Sequence, residues 1–261
     1  MSSAKVLVVL EGQQPEGNTL ARLQRAFPEE LADLSDDLVK IVYSSNIYRL
    51  YNALKDEDGF LDVVEVLKER NPDDAVLQSI NRKDVSQIFL FFDLDIHGED
   101  ADKACGQLDE MMNFFDNETE NGKLFISYPM VEVINICDTS TGLMADDRKL
   151  FKIDSCKNDG FKHFALELNR DSGTICRANC RDNWLIICKA NYEKAQWLMN
   201  LPPEMLPAVL ERMQQPAILQ CQQKWIKEEG SVATLSAFPF FLLEYLGADK
   251  IAGMMENRSV S

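Results

Sequence analysis

The sequence predicts an α/β protein: a parallel sheet flanked by helices, followed by a mainly helical C-terminal subdomain. Two observations carry this. Over roughly the first 137 residues, short apolar β-branched runs alternate with segments of helical spacing, and that alternation implies right-handed crossovers and parallel strands. Beyond about residue 138 the signals become mostly helical. The charge changes at the same place. Residues 1–150 hold 30 acids and 14 bases, whereas residues 151–261 hold 13 of each, so the whole excess of −16 sits in the first part. A boundary near residue 140 divides the chain into 1–140 and 141–261.

The elements follow in order. Val6 to Leu10 is a continuous apolar run, as expected of a strand buried on both faces. Gly12 to Gly17 is turn-rich. Leu20, Leu23 and Phe27 give helical spacing over Thr19 to Phe27, stopped by Pro28. Leu38 to Tyr43 is a second strand. Asn46 to Leu54 is a helix with Ile47, Leu50, Tyr51 and Leu54 on one face, and Phe60 to Glu69 is another, closed by Asn71-Pro72. Gln87 to Phe92 is the most apolar strand. Asp100 to Phe115 is a helix, and Lys123 to Ser127 a fourth strand. Asp138 to Asp147 is polar and predicts a loop. From Phe161 onward the helical signals stop at Gly173, Pro202-Pro203, Pro216 and Gly230. Leu235 to Leu246 predicts a buried helix, with Phe238 to Leu243 as core.

Composition excludes several classes. With 46% hydrophobic and 27% charged residues, the chain is neither collagen-like, coiled-coil nor wholly disordered. Its net charge excludes a uniformly basic nucleic-acid binder. The start, Met1 to Glu11, predicts no secretory signal, and no stretch reaches the apolar length of a membrane span. Seven cysteines without a signal predict a reduced, cytoplasmic setting.

Three acids fall at the carboxyl ends of predicted strands: Glu11 after Val6–Leu10, and Asp93 and Asp95 after Phe89–Phe92. In an open α/β sheet, ligands bind at that edge. Two carboxylates two residues apart leave the strand on the same side and stay ionised together only if a cation compensates them. Such hard oxygen ligands suit Mg²⁺ or Mn²⁺.

The order of Glu11-Gly12, some eighty residues of helix and strand, then Asp93-Leu94-Asp95, resembles the TOPRIM catalytic domain of topoisomerases, bacterial primases and OLD-type nucleases. The segment Ser127-Tyr128-Pro129-Met130-Val131-Glu132 is similar to the Ser-Asn-Pro-x-x-Glu segment of RloB-like TOPRIM proteins of anti-phage loci, departing from it at Tyr128. The resemblance covers about residues 4–137. It implies a TOPRIM-like, Rossmann-like sheet and a Mg²⁺- or Mn²⁺-dependent nuclease acting on DNA or RNA as an anti-phage effector. Asp93 and Asp95 would be cation ligands, Glu11 a ligand or activator of water, and Glu132 a further member of the metal shell. An ATPase partner is also implied; a homo-oligomer is open, since the sequence does not fix the oligomeric state. The glycine expected after the second aspartate is displaced to Gly98, behind Ile96-His97. His97 is either a phosphate contact or an ordinary loop residue. Glu99, Asp100 and Asp102 either reach the cation or open the next helix, where acids favour the N-terminal dipole.

Asp93-Leu94-Asp95 also resembles the Asp-x-Asp-Gly-Thr nucleophile motif of haloacid-dehalogenase-type phosphatases. Ile96-His97 replaces its Gly-Thr, and Glu11 is left unexplained. A non-catalytic acidic interaction module is a further alternative. Cys156, Cys176, Cys180 and Cys188 match no standard zinc spacing and read more readily as small hydrophobes. Lys152, Lys157, Lys162, Arg170, Arg177, Arg181, Lys189 and Lys194 concentrate positive charge beyond the acidic part. They either form a solvated mixed-charge surface, since six acids are interspersed, or line a phosphate groove, with Trp184 or Tyr192 stacking on bases.

Overall fold

The structure is a computed structural model and describes residues 4–56, 59–96, 101–138, 143–144, 150–155, 160–172 and 180–256. The main elements are numbered here in chain order. A five-stranded sheet contains β1 (Lys5–Leu10), β2 (Leu38–Val42), β3 (Val85–Asp93), β4 (Asp116–Asn117) and β5 (Gly122–Ser127), in the spatial order β2-β1-β3-β5-β4. The first, second, third and fifth strands run parallel, as the alternation predicts. The two-residue β4 corrects the all-parallel expectation: it pairs antiparallel with β5, because only a tight turn joins Asn117 to Gly122 and leaves no length for a crossover.

The crossovers are α1 (Pro15–Ala26) between β1 and β2, α2 (Ile47–Leu54) and α3 (Val63–Arg70) between β2 and β3, and α4 (Ala101–Phe114) after β3. α1 begins inside the expected turn, with Pro15 in its first turn, where the missing N–H costs nothing. Asn46 caps α2 by accepting the Arg49 N–H at 3.1 Å. Asp62 caps α3, accepting from Val64 and Glu65, so this helix starts later than Phe60. Phe60 lies instead in a small hairpin, Lys55–Asp56 against Gly59–Phe60.

Later helices are α5 (Gly160–Ser172), α6 (Arg181–Met199), α7 (Gln215–Glu229), α8 (Ala237–Leu246) and α9 (Ala248–Glu256). Pro216 was expected as a stop but sits in the first turn of α7, which it helps to open. Gly230 closes that helix with φ +58, a left-handed position open to glycine. The expected loop after Asp138 holds a two-residue antiparallel pairing, Cys137–Asp138 with Leu143–Met144.

One apolar cluster joins the sheet to the later helices. Phe91 stacks on Phe238 at a centroid distance of 4.8 Å and on Phe125 at 5.5 Å, while Phe89 meets Phe241 edge-on at 5.0 Å. The apolar run of α8 is therefore core, as expected, and each fully buried aromatic contributes about 1.5–3 kcal/mol of burial. This packing fixes the β3 and β5 ends against each other. Among the described residues no helix is long and apolar enough to cross a membrane.

Candidate functional site

Sheet register builds the site. Leu10 of β1 aligns with Val42 of β2 and Phe91 of β3, and Asp93 of β3 aligns with Ser127 of β5. Glu11 and Asp93 thus emerge side by side at the carboxyl edge. Backbone bonds continue past the strand ends and hold them there: Glu11 N–H donates to Phe91 O at 3.1 Å, and Ser44 N–H to Glu11 O at 3.0 Å. The Glu11 Oε2 accepts the Asp93 N–H at 3.0 Å. Leu94 N–H is shared between Ser127 O at 2.9 Å and Pro129 O at 3.1 Å. The chain then turns at Tyr128-Pro129 into a 3₁₀ segment, Val131–Ile136. Its first N–H, from Val131, donates to Asp93 Oδ1 at 2.8 Å. The next residue, Glu132, is buried at this edge, with Lys162 Nζ 3.8 Å from its Oε1. Asp95 stands on the other side, where its Oδ2 accepts from the Asn46 side chain at 2.8 Å. The four acids expected from sequence therefore lie around one sheet edge.

A fifth carboxylate joins them. Glu16, one turn into α1, is buried. Its Oε1 accepts the Gly12 N–H at 3.2 Å, and its Oε2 is buried without a hydrogen-bond partner. Gly12 leaves room for it, because a Cβ there would come within 3.0 Å of that Oε2. The sequence signal was available: an acid five residues after Glu11, in the first turn of the crossover helix, returns to the edge that the strand has just left. Asn46 was likewise read only as a helix start, although its amide also holds Asp95.

Electrostatics reflect the crowding. Burial raises Glu11 from an ordinary 4.5 to about 7; the Asp93 N–H opposes this, and Asp95 and Glu16 add to it. Asp93 keeps some solvent access, yet dense protein surrounds it, and desolvation holds its pKa well above the usual carboxylate range. Glu11, Glu16 and Glu132 push it the same way, and the Val131 N–H opposes them. Glu16 is also raised, first by burial and then, against its backbone bonds, by Glu132, while Lys162 lowers it.

The donor set suits a small hard dication in chemistry: carboxylate oxygens, mutual repulsion that a cation relieves, and one orphaned buried oxygen on Glu16. The hydrogen bonds to Glu11 and Asp93 occupy one oxygen of each. Among the described residues, however, no three His, Cys, Asp or Glu side chains are gathered closely enough to grip a metal ion as they stand. Side-chain rotation at Glu11, Glu16 and Glu132 would have to bring the oxygens together.

Other sequence expectations fall out differently. Trp184 and Tyr192 do not stack on bases: both are fully buried, and Tyr192 donates to Pro239 O at 2.7 Å. Of the basic residues, Arg181 pairs with Glu30, Lys189 with Glu193 at 3.8 Å, Lys194 is buried against Thr234, and Lys152 bonds Glu229 O at 2.7 Å. Lys162 alone of these five reaches the acids. Asp102 lies in the first turn of α4 and pairs with Lys227 at 3.1 Å, so it serves the helix end. His97, Glu99, Asp100, Lys157, Arg177, Cys156 and Cys176 lie outside the described residues, as does the Arg170 side chain. Cys188 is buried and Cys180 exposed.

Two of the cavities among the described residues bear on the site. The larger, about 460 Å³, is lined by Gln87 and Phe89 from the opening half of β3, together with Glu30, Glu118 and Glu244, and contains none of the five acids. The smaller, about 230 Å³, includes Glu132 and Lys162. No family model matches the chain, and neither a curated protein nor a solved structure matches it significantly.

Proposed function

We propose that the protein is a metal-dependent hydrolase of phosphodiester bonds, a nuclease of the TOPRIM kind. The convergence of Glu11, Glu16, Asp93, Asp95 and Glu132 at the carboxyl edge of a mostly parallel sheet carries this reading. Asp93 and Asp95 would hold Mg²⁺ or Mn²⁺, with Glu16, Glu132 and an oxygen of Glu11 able to complete the set. When bound, the cation lowers the pKa of a coordinated water and offsets charge developing on the phosphate. The protein's own groups do the rest. Glu11 gives only Oε2 to the Asp93 N–H, so its other oxygen would either ligate the cation or take a proton from water. The Val131 N–H fixes the Asp93 carboxylate, and Asn46 fixes Asp95. Lys162 counterbalances Glu132 beside the incoming phosphate.

The acidic excess of the first part repels a polyanion, so phosphate contacts must come from locally placed bases, the later helices or a basic partner. An anti-phage role with an ATPase partner rests on the family resemblance. The phosphatase alternative gives Glu11 no task, whereas Glu11 is bonded to the backbone of Asp93 itself.

The test incubates the protein with labelled duplex DNA, single-stranded DNA and total tRNA in Mg²⁺ or Mn²⁺, beside Asp93→Ala and Glu11→Ala. Cleavage by wild type, lost in both variants, supports the reading and names the substrate. Cleavage of phosphomonoesters alone, unaffected by Glu11→Ala, favours the phosphatase. Absence of both cleavage and Mn²⁺ binding overturns both and leaves the acidic interaction module.

A further inference from the structure

The 230 Å³ cleft abuts the acid cluster through Glu132. It is smaller than the roughly 300 Å³ at which drug-sized pockets begin, and so suits a single sugar-phosphate unit. One wall is a row on α1: Gln14, Asn18 and Arg22, spaced four residues apart and therefore about 6 Å per step along one helix face. Across the cleft stand Asn135, from the 3₁₀ segment that carries Glu132, and Lys162. Arg22 is half-buried and forms no ion pair among the described residues. The lining thus sets Arg22, three carboxamides and Lys162, which pairs with Glu132, among apolar side chains that include Ile134 and Leu166. Carboxamides and a guanidinium fork are the donors that phosphate and sugar oxygens accept from.

We infer that this cleft binds the phosphate neighbouring the scissile one on a nucleic-acid strand, with Arg22 and Lys162 flanking the phosphate and Asn18 and Asn135 donating to it or to the adjoining sugar. The inference rests on the proposed hydrolysis, and it narrows the substrate to a strand with a phosphate on each side of the cleaved nucleotide. A mononucleotide or phosphomonoester leaves the cleft empty. DNA and RNA share the recognised chemistry.

The test measures binding of short labelled single-stranded DNA and RNA to the full chain by fluorescence anisotropy, in Ca²⁺ and across a salt series. Mn²⁺ affinity is measured separately by calorimetry. Variants are Arg22→Ala, Asn18→Ala and, as a control, Arg25→Ala, which removes the same charge from the same helix outside the cleft. Arg22→Ala is expected to weaken binding about tenfold and to reduce the salt slope by about one, and Asn18→Ala to weaken it several-fold. Arg25→Ala and the Mn²⁺ affinity of all variants should stay unchanged. Equal effects of Arg22→Ala and Arg25→Ala, or Mn²⁺ binding without any oligonucleotide binding, overturn the inference while leaving the hydrolase reading intact. Loss of Mn²⁺ binding and cleavage in wild type, with Arg22-dependent strand binding retained, overturns the hydrolase reading instead.

Discussion

Glu11 Oε2 accepts the backbone N–H of Asp93 at 3.0 Å across 82 residues of sequence. One carboxylate thus positions the backbone that presents the other. Glu11→Gln keeps an oxygen able to accept that bond but cannot exchange a proton. Cleavage is expected to fall at least about a hundredfold, with the fold retained. Circular dichroism and a single-turnover cleavage assay check the pair of outcomes.

The same residue sets a pH dependence. Its folded pKa, about 7, lies above the ordinary 4.5, so the native state holds the proton more tightly than the unfolded chain. That stability is fully present below about pH 4.5 and is lost as pH rises through about 7, on the order of 3 kcal/mol in all. Without divalent cations, urea titrations at pH 5.5 and pH 8 should show wild type losing more stability than Glu11→Gln. Mn²⁺ takes the place of the proton. It should therefore raise the Tm of wild type more at pH 8 than at pH 5.5, and its binding should release protons to buffer.

Glu16 carries an unpartnered buried oxygen and a raised pKa. Glu16→Gln removes a desolvated charge. It should raise the thermal midpoint at pH 8 in the absence of metal, while weakening Mn²⁺ binding about tenfold. Gly12→Ala presses on the far end of the same side chain and should alter Mn²⁺ affinity by a few-fold with little change in stability. Calorimetry on both variants separates a ligand from a bystander, because a bystander leaves the affinity unmoved.

Asn46 serves two elements at once, capping α2 and holding Asp95. Asn46→Ala should cost about 1 kcal/mol through the cap. It should also slow cleavage beyond that loss, because Asp95 is released. Asn46→Ser restores a cap without the reach to Asp95. If Asn46→Ser recovers both stability and activity, the second role is excluded.

Core and surface aromatics should separate cleanly. Phe91 stacks on Phe125 and Phe238, and Phe91→Ala should cost about 3–5 kcal/mol in urea unfolding. Phe60 is 50% exposed on its hairpin, and Phe60→Ala should cost below about 1 kcal/mol.

The strand-helix alternation is legible in the chain alone, because apolar runs such as Val6–Leu10 and Phe89–Phe92 are local signals of strands buried on both faces. Glu11, Asp93 and Asp95 are legible there too, since a strand's end is written where its apolar run stops, whereas Glu132 is reached only through the family resemblance. Pro216 opens a helix instead of stopping one, and Trp184 and Tyr192, open to either reading, are core, because composition does not say which face of a helix meets the sheet. Which ends meet depends on strand order and register across the sheet. The alignment of Leu10 with Phe91 brings Glu11 to Asp93, and the turn from β5 carries Glu132 over the same edge. Glu16 and Asn46 came into view there too. Their roles depend on helix placement after a crossover, a long-range outcome of packing that no window of local sequence contains.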